Sequence, residues 1–298
     1  MPAPGEVARA AEFIQQGKLV AFPTETVYGL GANAFDPVAV ARIYEAKERP
    51  VSSPLIVHVS DDAMARSVVS AWPDTAQRLA ARFWPGPLTL VLPKSEIVPD
   101  LVTAGLPSVG VRVPAHPLAL ELIHAAGVPI AAPSANRFSE VSPTTAEHVR
   151  MGLGDRVDMI LDGGPCEVGI ESTIVSLLGL KPAILRPGMI TQRELENAAQ
   201  VLFQSCPGSV NVSLAPGLHP RHYAPHTRIY LLDPDQTLPL GRGWILELPA
   251  EPEAFAALLY AELHRADEGG YDWIGIFKPP DRPEWAGILD RLQRASHR

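Results

Sequence analysis

Short apolar runs alternate with segments of helical periodicity, and this alternation restricts the fold more than any other feature of the sequence. Seven runs are predicted to be strands: Leu19–Phe22, Leu55–Val59, Leu88–Leu92, Val109–Val113, Met159–Leu161, Ile174–Ser176 and Ala183–Leu185. Helices are predicted between them, with Asp36 before Pro37 as the clearest cap, at Pro4–Gln16, Pro37–Glu48, Asp74–Phe83, Pro117–Ala126 and Thr145–Met151. The pattern predicts an α/β domain. Several connections are too short for a crossover helix, so the pairing is left open between parallel, antiparallel and mixed.

A second, smaller α/β unit is predicted near the end of the chain. The stretch Gln204–His226 has no apolar period and repeats proline and glycine, which is typical of a linker. After it we predict strands and helices, namely Ile229–Leu232, Trp244–Leu246 and Trp273–Phe277 as strands and Pro252–Arg265 and Pro283–Ser296 as helices. We therefore expect one domain at 1–203, a linker at 204–227 that folds over a bound ligand, and a small domain at 228–298.

Composition disfavours several broad classes of function. The formal net charge of −8 argues against a protein that coats nucleic acid, because such binding needs clustered lysine and arginine. No apolar run approaches the roughly 18 residues needed to span a bilayer, and Met1–Glu6 does not resemble a secretion signal. With only Cys166 and Cys206, two reduced thiols are expected rather than a disulfide. We expect a cytoplasmic protein without a membrane partner.

A segment dense in hydroxyls and glycines follows the first predicted strand. Its sequence, AFPTETVYGLGANAFDP, is typical of a ligand-binding loop. Within it, Gly29 to Ala34 matches the dinucleotide pattern G-x-G-x-x-A, but residues intervene between this motif and both its strand and its helix, which weakens that interpretation. Simple turn glycines are another alternative. The segment favours a small-molecule site of a different kind.

Two basic residues mark the end of the helix predicted at Pro37–Glu48. Lys47 continues the apolar face of that helix, and a cation in a buried stripe needs an anion. Pro50 disfavours helix at Arg49, so both cations are predicted where helix gives way to loop, within reach of a common phosphate. The alternative is a lysine that extends to solvent beside a hydrated arginine.

Further polar candidates lie at strand positions that oppose the apolar ones. In Val109–Val113 the valines share one face and Arg112 takes the other, and His58 alternates with its apolar neighbours in the same way. Arg186 leads out of a predicted strand into a turn. Each of them alone is more simply explained as structural. Together they predict one cationic, polar surface.

Two segments supply hydroxyls beside apolar strands, APSAN at Ala132–Asn136 and GIESTIV at Gly169–Val175. They suit hydrogen bonds to a nucleotide or a small polar ligand, although helix capping is an open alternative. The chain has neither a G-x-S-x-G nor a P-loop motif, so serine-hydrolase and P-loop functions lose support. The spacing of His219, His222 and His226 would allow a metal, but a loop that folds over a ligand is the better interpretation.

Eight motifs occur in the order found in the YrdC-domain family, over about residues 5–200: PTETVYGLG, the K-x-R-P run at Lys47–Pro50, PLIVH, WPGPLTLVL, VGVRVPAH, APSAN, GIESTIV and ILRPG. The chain thus resembles the L-threonylcarbamoyladenylate synthases of that family, and its HYAP linker and small terminal domain resemble their long form. The resemblance implies a twisted mixed α/β sheet with a deep concave cavity. It also implies nucleotidyl transfer, in which L-threonine, bicarbonate and ATP with Mg²⁺ give threonylcarbamoyl-AMP and pyrophosphate. A downstream threonylcarbamoyl transferase complex that modifies tRNA is the implied partner.

The resemblance also assigns a site residue by residue. L-Threonine is assigned to Thr26, His58, Arg112, Ala132 and Ser172. ATP is assigned to Lys47, Arg49, Ser53, Ser108, Ser134, Ser142, Arg186 and Tyr223. Lys47, Arg49 and Arg186 are expected to stabilise charge in catalysis, without a general base, a protein-bound metal or an organic cofactor. Ser53 stands where the family usually has Asn, and Ala132 lacks the hydroxyl often found there, so its contact would be through the backbone.

Two alternative functions are associated with the same kind of domain. A double-stranded-RNA-binding regulatory module is disfavoured by the acidic net charge. A carbamoyl-transfer maturation enzyme would require zinc-finger and acylphosphatase regions that we do not find in the sequence.

Overall fold

The computed structural model of the chain describes residues 5–204, 222–235 and 237–297. Most of the predicted linker, together with Cys206 and His219, lies outside these residues. The described strands form two sheets, one of nine strands and one of three. No helix in the described ranges is long and apolar enough to cross a membrane.

The larger sheet is mixed. Its strands are, in chain order, β1 Val20–Phe22, β2 Gly29–Asn33, β3 Ile56–His58, β4 Leu88–Pro93, β5 Ser108–Arg112, β6 Ile130–Ala131, β7 Met159–Ile160, β8 Thr173–Ser176 and β9 Ala183–Arg186. Their order across the sheet is β7-β1-β2-β6-β3-β5-β4-β8-β9. The β1–β7, β3–β5 and β4–β8 pairs are parallel and the other neighbours are antiparallel. This confirms the predicted mixed α/β sheet.

All seven predicted strands are present, but two others escaped prediction. The short β6 has only two residues, and β2 is the glycine-rich segment that was interpreted as a loop. Gly31 explains how such a segment becomes a central strand. A Cβ at Gly31 would lie 2.7 Å from Ile130 Cγ2 and 2.8 Å from Phe22 Cε1. Because glycine has no Cβ, β2 can pack closely against the side chains of Ile130 and Phe22. The G-x-G-x-x-A match therefore belongs to a strand and is not a dinucleotide-binding loop.

The helices around this sheet are α1 Glu6–Gln15, α2 Pro37–Lys47, α3 Asp62–Ser67, α4 Asp74–Phe83, α5 Asp100–Thr103, α6 Pro117–Ala126, α7 Ala146–Leu153 and α8 Gln192–Ala199. The five predicted helices are confirmed, with shifts of one or two residues at some ends. The short α3 and α5 span too few residues to show a period. The missed α8 begins with a capping box between Thr191 and Glu194, a signal that the sequence did contain.

Most apolar positions of the central strands face one core. Val109, Val111 and Val113 belong to a large buried cluster, whereas Arg112 lies on the opposite face, as predicted from strand parity. Opposite-parity positions such as Ile56 and Val91 form a small apolar cluster on that second face. The second face is therefore the one on which polar side chains gather.

The second unit is a three-stranded parallel sheet with helices. It contains β10 Arg228–Leu232, β11 Gly243–Ile245 and β12 Trp273–Phe277, in the order β10-β12-β11, with α9 Pro252–Glu268 and α10 Ala286–Ser296. A 3₁₀ turn at Pro283–Trp285 precedes α10, where one continuous helix was predicted. Buried residues of both units share one apolar cluster, so the two are packed together.

Glycine 31 provides a test of the sheet packing. We expect Gly31→Ala to lower the free energy of unfolding by about 1–3 kcal/mol, because the added methyl overpacks the space between Ile130 and Phe22. The control is Gly152→Ala in α7, where a Cβ would meet no atom within 4 Å, and there we expect no loss of stability. Urea unfolding of both variants is the measurement, and equal stability of the two would contradict the packing account.

Candidate functional site

A cleft with a cavity volume of about 50 Å³ opens on the polar face of the large sheet. Elements far apart in the sequence contribute to its walls, which consist of Thr24, Thr26, Val27, Gly29, Arg49, Ile56, His58, Arg112, Ala132, Pro133, Ser134, Glu171, Ser172, Arg186, His222 and Tyr223. The walls thus bring together all five residues assigned to threonine and four of the eight assigned to ATP.

Arg112, at the end of β5, is held in a fixed orientation at one side of the cleft. Its guanidinium forms an ion pair with Glu25 at 2.7 Å and donates hydrogen bonds to Thr26 Oγ1 at 2.9 Å and to the Gly86 carbonyl at 3.3 Å. The other oxygen of Glu25 accepts from the Ala115 amide. Arg112 and Glu25 are both buried, so the guanidinium is preorganised rather than mobile.

His58 lies beside Arg112, because β3 and β5 are parallel and pair these two residues in register. Burial, together with the positive charge of Arg112, lowers the pKa of His58 to about 3. The imidazole is therefore neutral at physiological pH. Its buried Nδ1 has no hydrogen-bond partner in the described structure, an unusual state for a polar atom.

Arg49 is the most unusual group of the cleft. It follows α2, which ends where Glu48 takes a left-handed conformation, and it is buried. Its Nη2 donates to Ser53 Oγ at 2.5 Å and to the Pro54 carbonyl at 3.1 Å, but no carboxylate of the described residues lies within ion-pair distance. Burial lowers the pKa of Arg49 to about 10. A buried cation without a counter-charge is costly, so the site is suited to an anionic ligand.

Arg186 enters the cleft from the end of β9. Its Nε and Nη2 donate to the Ser172 carbonyl at 3.2 and 3.0 Å, and Nη2 also donates to Ser172 Oγ at 3.2 Å. Ser172 Oγ is in turn 2.8 Å from Thr89 Oγ1. The GIESTIV segment therefore orients this arginine directly.

Tyr223 lines the cleft. It is buried, takes a φ of 61°, and its hydroxyl has no hydrogen-bond partner among residues 5–204, 222–235 and 237–297. Its ring packs against His222 at 4.1 Å between centroids, and His222 also contacts Phe138. The end of the predicted linker is thus part of the cleft wall.

Four of the residues assigned to ATP lie behind the cleft walls. The ammonium of Lys47 donates to the backbone carbonyls of Ser134 and Asn136, so it holds the APSAN segment in place. Its burial, with Arg49 close by, holds its pKa well below the usual range. Ser53 supports Arg49, and Ser142 Oγ donates to Glu171 at 2.6 Å. Ser108 lines a smaller cavity that shares Ile56 with the cleft.

Sequence reasoning missed the two carboxylates that organise these groups. Glu25 and Glu171 lie in the motifs PTETVYGLG and GIESTIV, but neither was predicted to be buried or to pair with an arginine. The signal that would have found them is a carboxylate enclosed by small or apolar residues, which implies burial and hence a cationic partner. Cys166 was predicted to be a reduced thiol, and it is a buried free thiol in the structure. Burial raises its pKa to about 12.

Comparison with known proteins shows the family. A family model described as "Telomere recombination", covering Sua5, YciO and YrdC, matches residues 12–188, and a second, "Threonylcarbamoyl-AMP synthase, C-terminal domain", matches residues 190–297. The threonylcarbamoyl-AMP synthase of Bacillus subtilis is 39% identical over 98% of this chain and 93% of its own length. The chain belongs to the Sua5-type threonylcarbamoyl-AMP synthases. The Pyrococcus abyssi synthase is 49% identical over 75% of this chain and 67% of its own length.

A solved relative supports the Sua5-type architecture of both units. The crystal structure of P. abyssi Sua5 complexed with L-threonine superposes with a TM-score of 0.92 at 38% identity. The match covers 98% of this chain and 94% of the P. abyssi chain. The long-form resemblance found in the motifs is thereby confirmed over both sheets.

In this Sua5-type cleft we expect His58 to remain neutral throughout the physiological pH range. Because its folded pKa lies near 3, below its usual 6.5, the protein should lose stability as pH falls from about 6.5 toward 3, where only the unfolded chain binds the proton. NMR titration of the imidazole signals, with His58 assigned by its absence in His58→Gln, is the measurement. A His58 signal that titrates between pH 6 and 7 would contradict this environment.

Proposed function

We propose that this enzyme combines L-threonine, bicarbonate and ATP into threonylcarbamoyl-AMP and pyrophosphate in the cleft described above. The observation that supports this proposal most strongly is the environment of Arg49. Arg49 is a buried cation that has no anion within ion-pair distance among the described residues. It lines the same cavity as Arg112 and Arg186. Three guanidinium groups in one desolvated cleft favour a ligand with several negative charges. A nucleoside triphosphate together with an amino acid carboxylate meets this requirement.

The threonine end is assigned to the wall around Arg112. Arg112 would bind the carboxylate, and Thr26 and the neutral His58 would position the polar groups of threonine. Ala132 contributes its backbone and Ser172 its hydroxyl at the border with the nucleotide. Selection of threonine over serine depends on one methyl group, worth about 1–3 kcal/mol, so slow use of serine is expected.

The nucleotide end is assigned to Arg49, Ser134, Arg186 and Tyr223, which line the cleft. The other four assigned residues would act from behind these walls: Lys47, Ser53, Ser108 and Ser142. Lys47 would reach phosphate only if its ammonium left the carbonyls of the APSAN segment. We therefore assign Lys47 to the support of that segment in the ligand-free cleft.

The chemistry requires alignment and charge stabilisation more than a protein base. Condensation of the threonine amine with bicarbonate gives a carbamate and releases water, and a carbamate oxygen then attacks the α-phosphorus as pyrophosphate leaves. Both reactants are anionic, so the guanidinium groups of Arg49 and Arg186 would offset their repulsion while Arg112 holds threonine in line. The neutral His58 fits a positioning role because it adds no charge.

Mg²⁺ is assigned to the substrate rather than to the protein. No group of three or more metal-ligating side chains occurs in the described portion of the chain, and Glu171 already accepts hydrogen bonds from three side chains. Mg²⁺ characteristically enters such sites on substrate phosphates with few protein ligands. We therefore propose that it arrives as MgATP.

The product implies a partner downstream. Threonylcarbamoyl-AMP is a mixed anhydride that hydrolyses readily, so its threonylcarbamoyl group must pass soon to an acceptor. We propose that a threonylcarbamoyl transferase complex uses it to form N6-threonylcarbamoyladenosine in tRNA. Action in the cytoplasm, with tRNA as the final acceptor, is part of this proposal.

Substrate dependence of pyrophosphate release tests the function directly. Purified protein with MgATP should release pyrophosphate only when bicarbonate and an amino acid substrate are both present, faster with threonine than with serine, and the product from threonine should have the mass of threonylcarbamoyl-AMP. Omission of either substrate and replacement of threonine by serine are the controls. If folded protein binds ATP but releases none under any of these conditions, the catalytic proposal fails, and a salt titration of double-stranded RNA binding would test the regulatory alternative.

Arg112→Ala tests the threonine assignment. Loss of a charge-assisted hydrogen bond costs about 1.5–3 kcal/mol, so the KM for threonine should rise by roughly tenfold to more than a hundredfold. The control is Arg150→Ala, which removes an exposed arginine that pairs with Glu147 on α7. An unchanged KM for threonine in Arg112→Ala would remove Arg112 from the site.

A further inference from the structure

The most completely buried charge in the described structure lies outside the catalytic cleft, on the last helix. Arg291 of α10 is 0% exposed, and its chemistry is not used in the function proposed above. On α10, residues Ile288, Leu292 and Ala295 are also buried, so Arg291 occupies the i+3 position of an apolar stripe. A buried guanidinium needs partners for all its donors, and those partners identify its role.

The partners of Arg291 lie in segments that form the cleft. Its Nε donates to Glu171 Oε2 at 2.7 Å and its Nη2 to the Glu171 carbonyl at 3.2 Å. Its Nη1 donates to the carbonyl of Pro187, the residue after Arg186, at 2.9 Å, and pairs with Asp290 at 2.8 Å. One side chain of the second unit therefore fixes both the GIESTIV and the ILRPG segments.

Glu171 passes this constraint to the cleft. Its Oε1 accepts from Ser142 Oγ at 2.6 Å, while its Oε2 accepts from Arg291 and from the hydroxyl of Tyr260 on α9 at 3.1 Å. Burial would raise the pKa of Glu171, but the charges of Arg291 and Arg186 more than offset this and lower it. Glu171 is thus an ionised carboxylate at the wall of the cleft. Its neighbour Ser172 is the group to which Arg186 donates.

The same helices approach the cleft segments backbone to backbone. A Cβ at Gly169, the first residue of the GIESTIV segment, would lie 2.2 Å from the Ala256 carbonyl oxygen of α9. A Cβ at Gly287 of α10 would lie 2.6 Å from the Gly188 carbonyl, just after Arg186. These approaches are independent of the charges. They show that α9 and α10 make close backbone contacts with the two segments that carry Ser172 and Arg186.

Arg291 also contacts the wall that Tyr223 forms. Its guanidinium carbon lies 5.2 Å from the centroid of the Tyr223 ring, and Tyr260 stacks on the same ring at 6.0 Å. A cation over an aromatic face is stabilising, most of all where water is excluded. The nucleotide side of the cleft thus rests on two side chains of the second unit.

We propose that Arg291 is a positioning residue for the nucleotide end of the cleft, acting through Glu171 on Ser142 and on the Ser172–Arg186 contact, and directly on Tyr223. This inference rests on the proposed function, since it takes the ligand at that end to be ATP. The inference gives the second unit a role in the site, because α9 and α10 support the wall of the cleft that would bind the nucleotide. Within the part of the chain that the structure describes, the hydrogen bonds of Arg291 reach Glu171, Pro187, Gly287 and Asp290, and none reaches the threonine end around Arg112 and His58.

The experiment compares the two ends of the cleft in the full-length protein. The dissociation constants of threonine and of an ATP analogue with a methylene between the α- and β-phosphates are measured by calorimetry. The variants are Arg291→Lys and Arg291→Met. The control is Arg294→Met, one helical turn further along α10, which removes an arginine that pairs with the same Asp290. Circular dichroism establishes that each variant is folded.

Both Arg291 variants are expected to weaken binding of the ATP analogue by about tenfold or more. Threonine binding should change less than about threefold, because Ser172 is the one threonine-assigned residue in the affected segment. Arg294→Met should leave both constants within about threefold. Binding of the analogue at wild-type strength by folded Arg291 variants would overturn the inference. Equal weakening of both ligands would also overturn it, because that is the result of a merely structural role.

A paired variant covers the case in which Arg291→Met does not fold. Glu171→Gln combined with Arg291→Met removes both charges, so neither is left buried without its partner. Weakened binding of the analogue by the folded pair supports the inference, and wild-type binding by it refutes the inference. Failure of the wild-type protein itself to bind the analogue or to release pyrophosphate is a different result, which refutes the proposed function.

Discussion

The structure depends on the burial of arginine around one cleft. Arg49, Arg112, Arg186 and Arg291 are all nearly or fully buried, although removal of a guanidinium from water is costly. Three of them are compensated by elements of the protein, Arg112 and Arg291 by carboxylates and Arg186 by the Ser172 carbonyl. Arg112 is thereby tied to the loop that carries Glu25, and both Arg186 and Arg291 are tied to the GIESTIV segment. The geometry of the cleft is therefore a consequence of how the sheet satisfies these charges.

The mixed sheet makes this compensation feasible. Parallel pairing of β3 with β5 sets His58 beside Arg112, and parallel pairing of β4 with β8 sets the GIESTIV segment beside the strand that carries Thr89. Antiparallel pairing of β8 with β9 then returns Arg186 to the start of β8. The polar residues meet because neighbouring strands deliver them to the same edge region, while the apolar positions on the other face remain in the core.

Local patterns in the sequence predicted much of this arrangement. Apolar runs located seven of the nine strands, strand parity placed Arg112 opposite the valines, and the helical stripe indicated that Lys47 is buried. The order of the strands could not be predicted, because it depends on pairings between distant segments. For the same reason the partners of the cations were missed: Glu171 and Arg291 are 120 residues apart. The stripe argument made for Lys47 applies equally to Arg291, but it was not extended to the last helix.

The contact between Glu171 and Arg291 has a consequence for how such a protein can change its domain composition. A chain that lost the second unit would keep Glu171 buried in the cleft wall without its ion pair to Arg291, and it would expose Gly169 and the apolar surface that α9 covers. The two units are therefore not independent domains connected only through the chain. In this chain, loss of the terminal helices would therefore require compensating changes at Glu171 and on the surface that α9 covers.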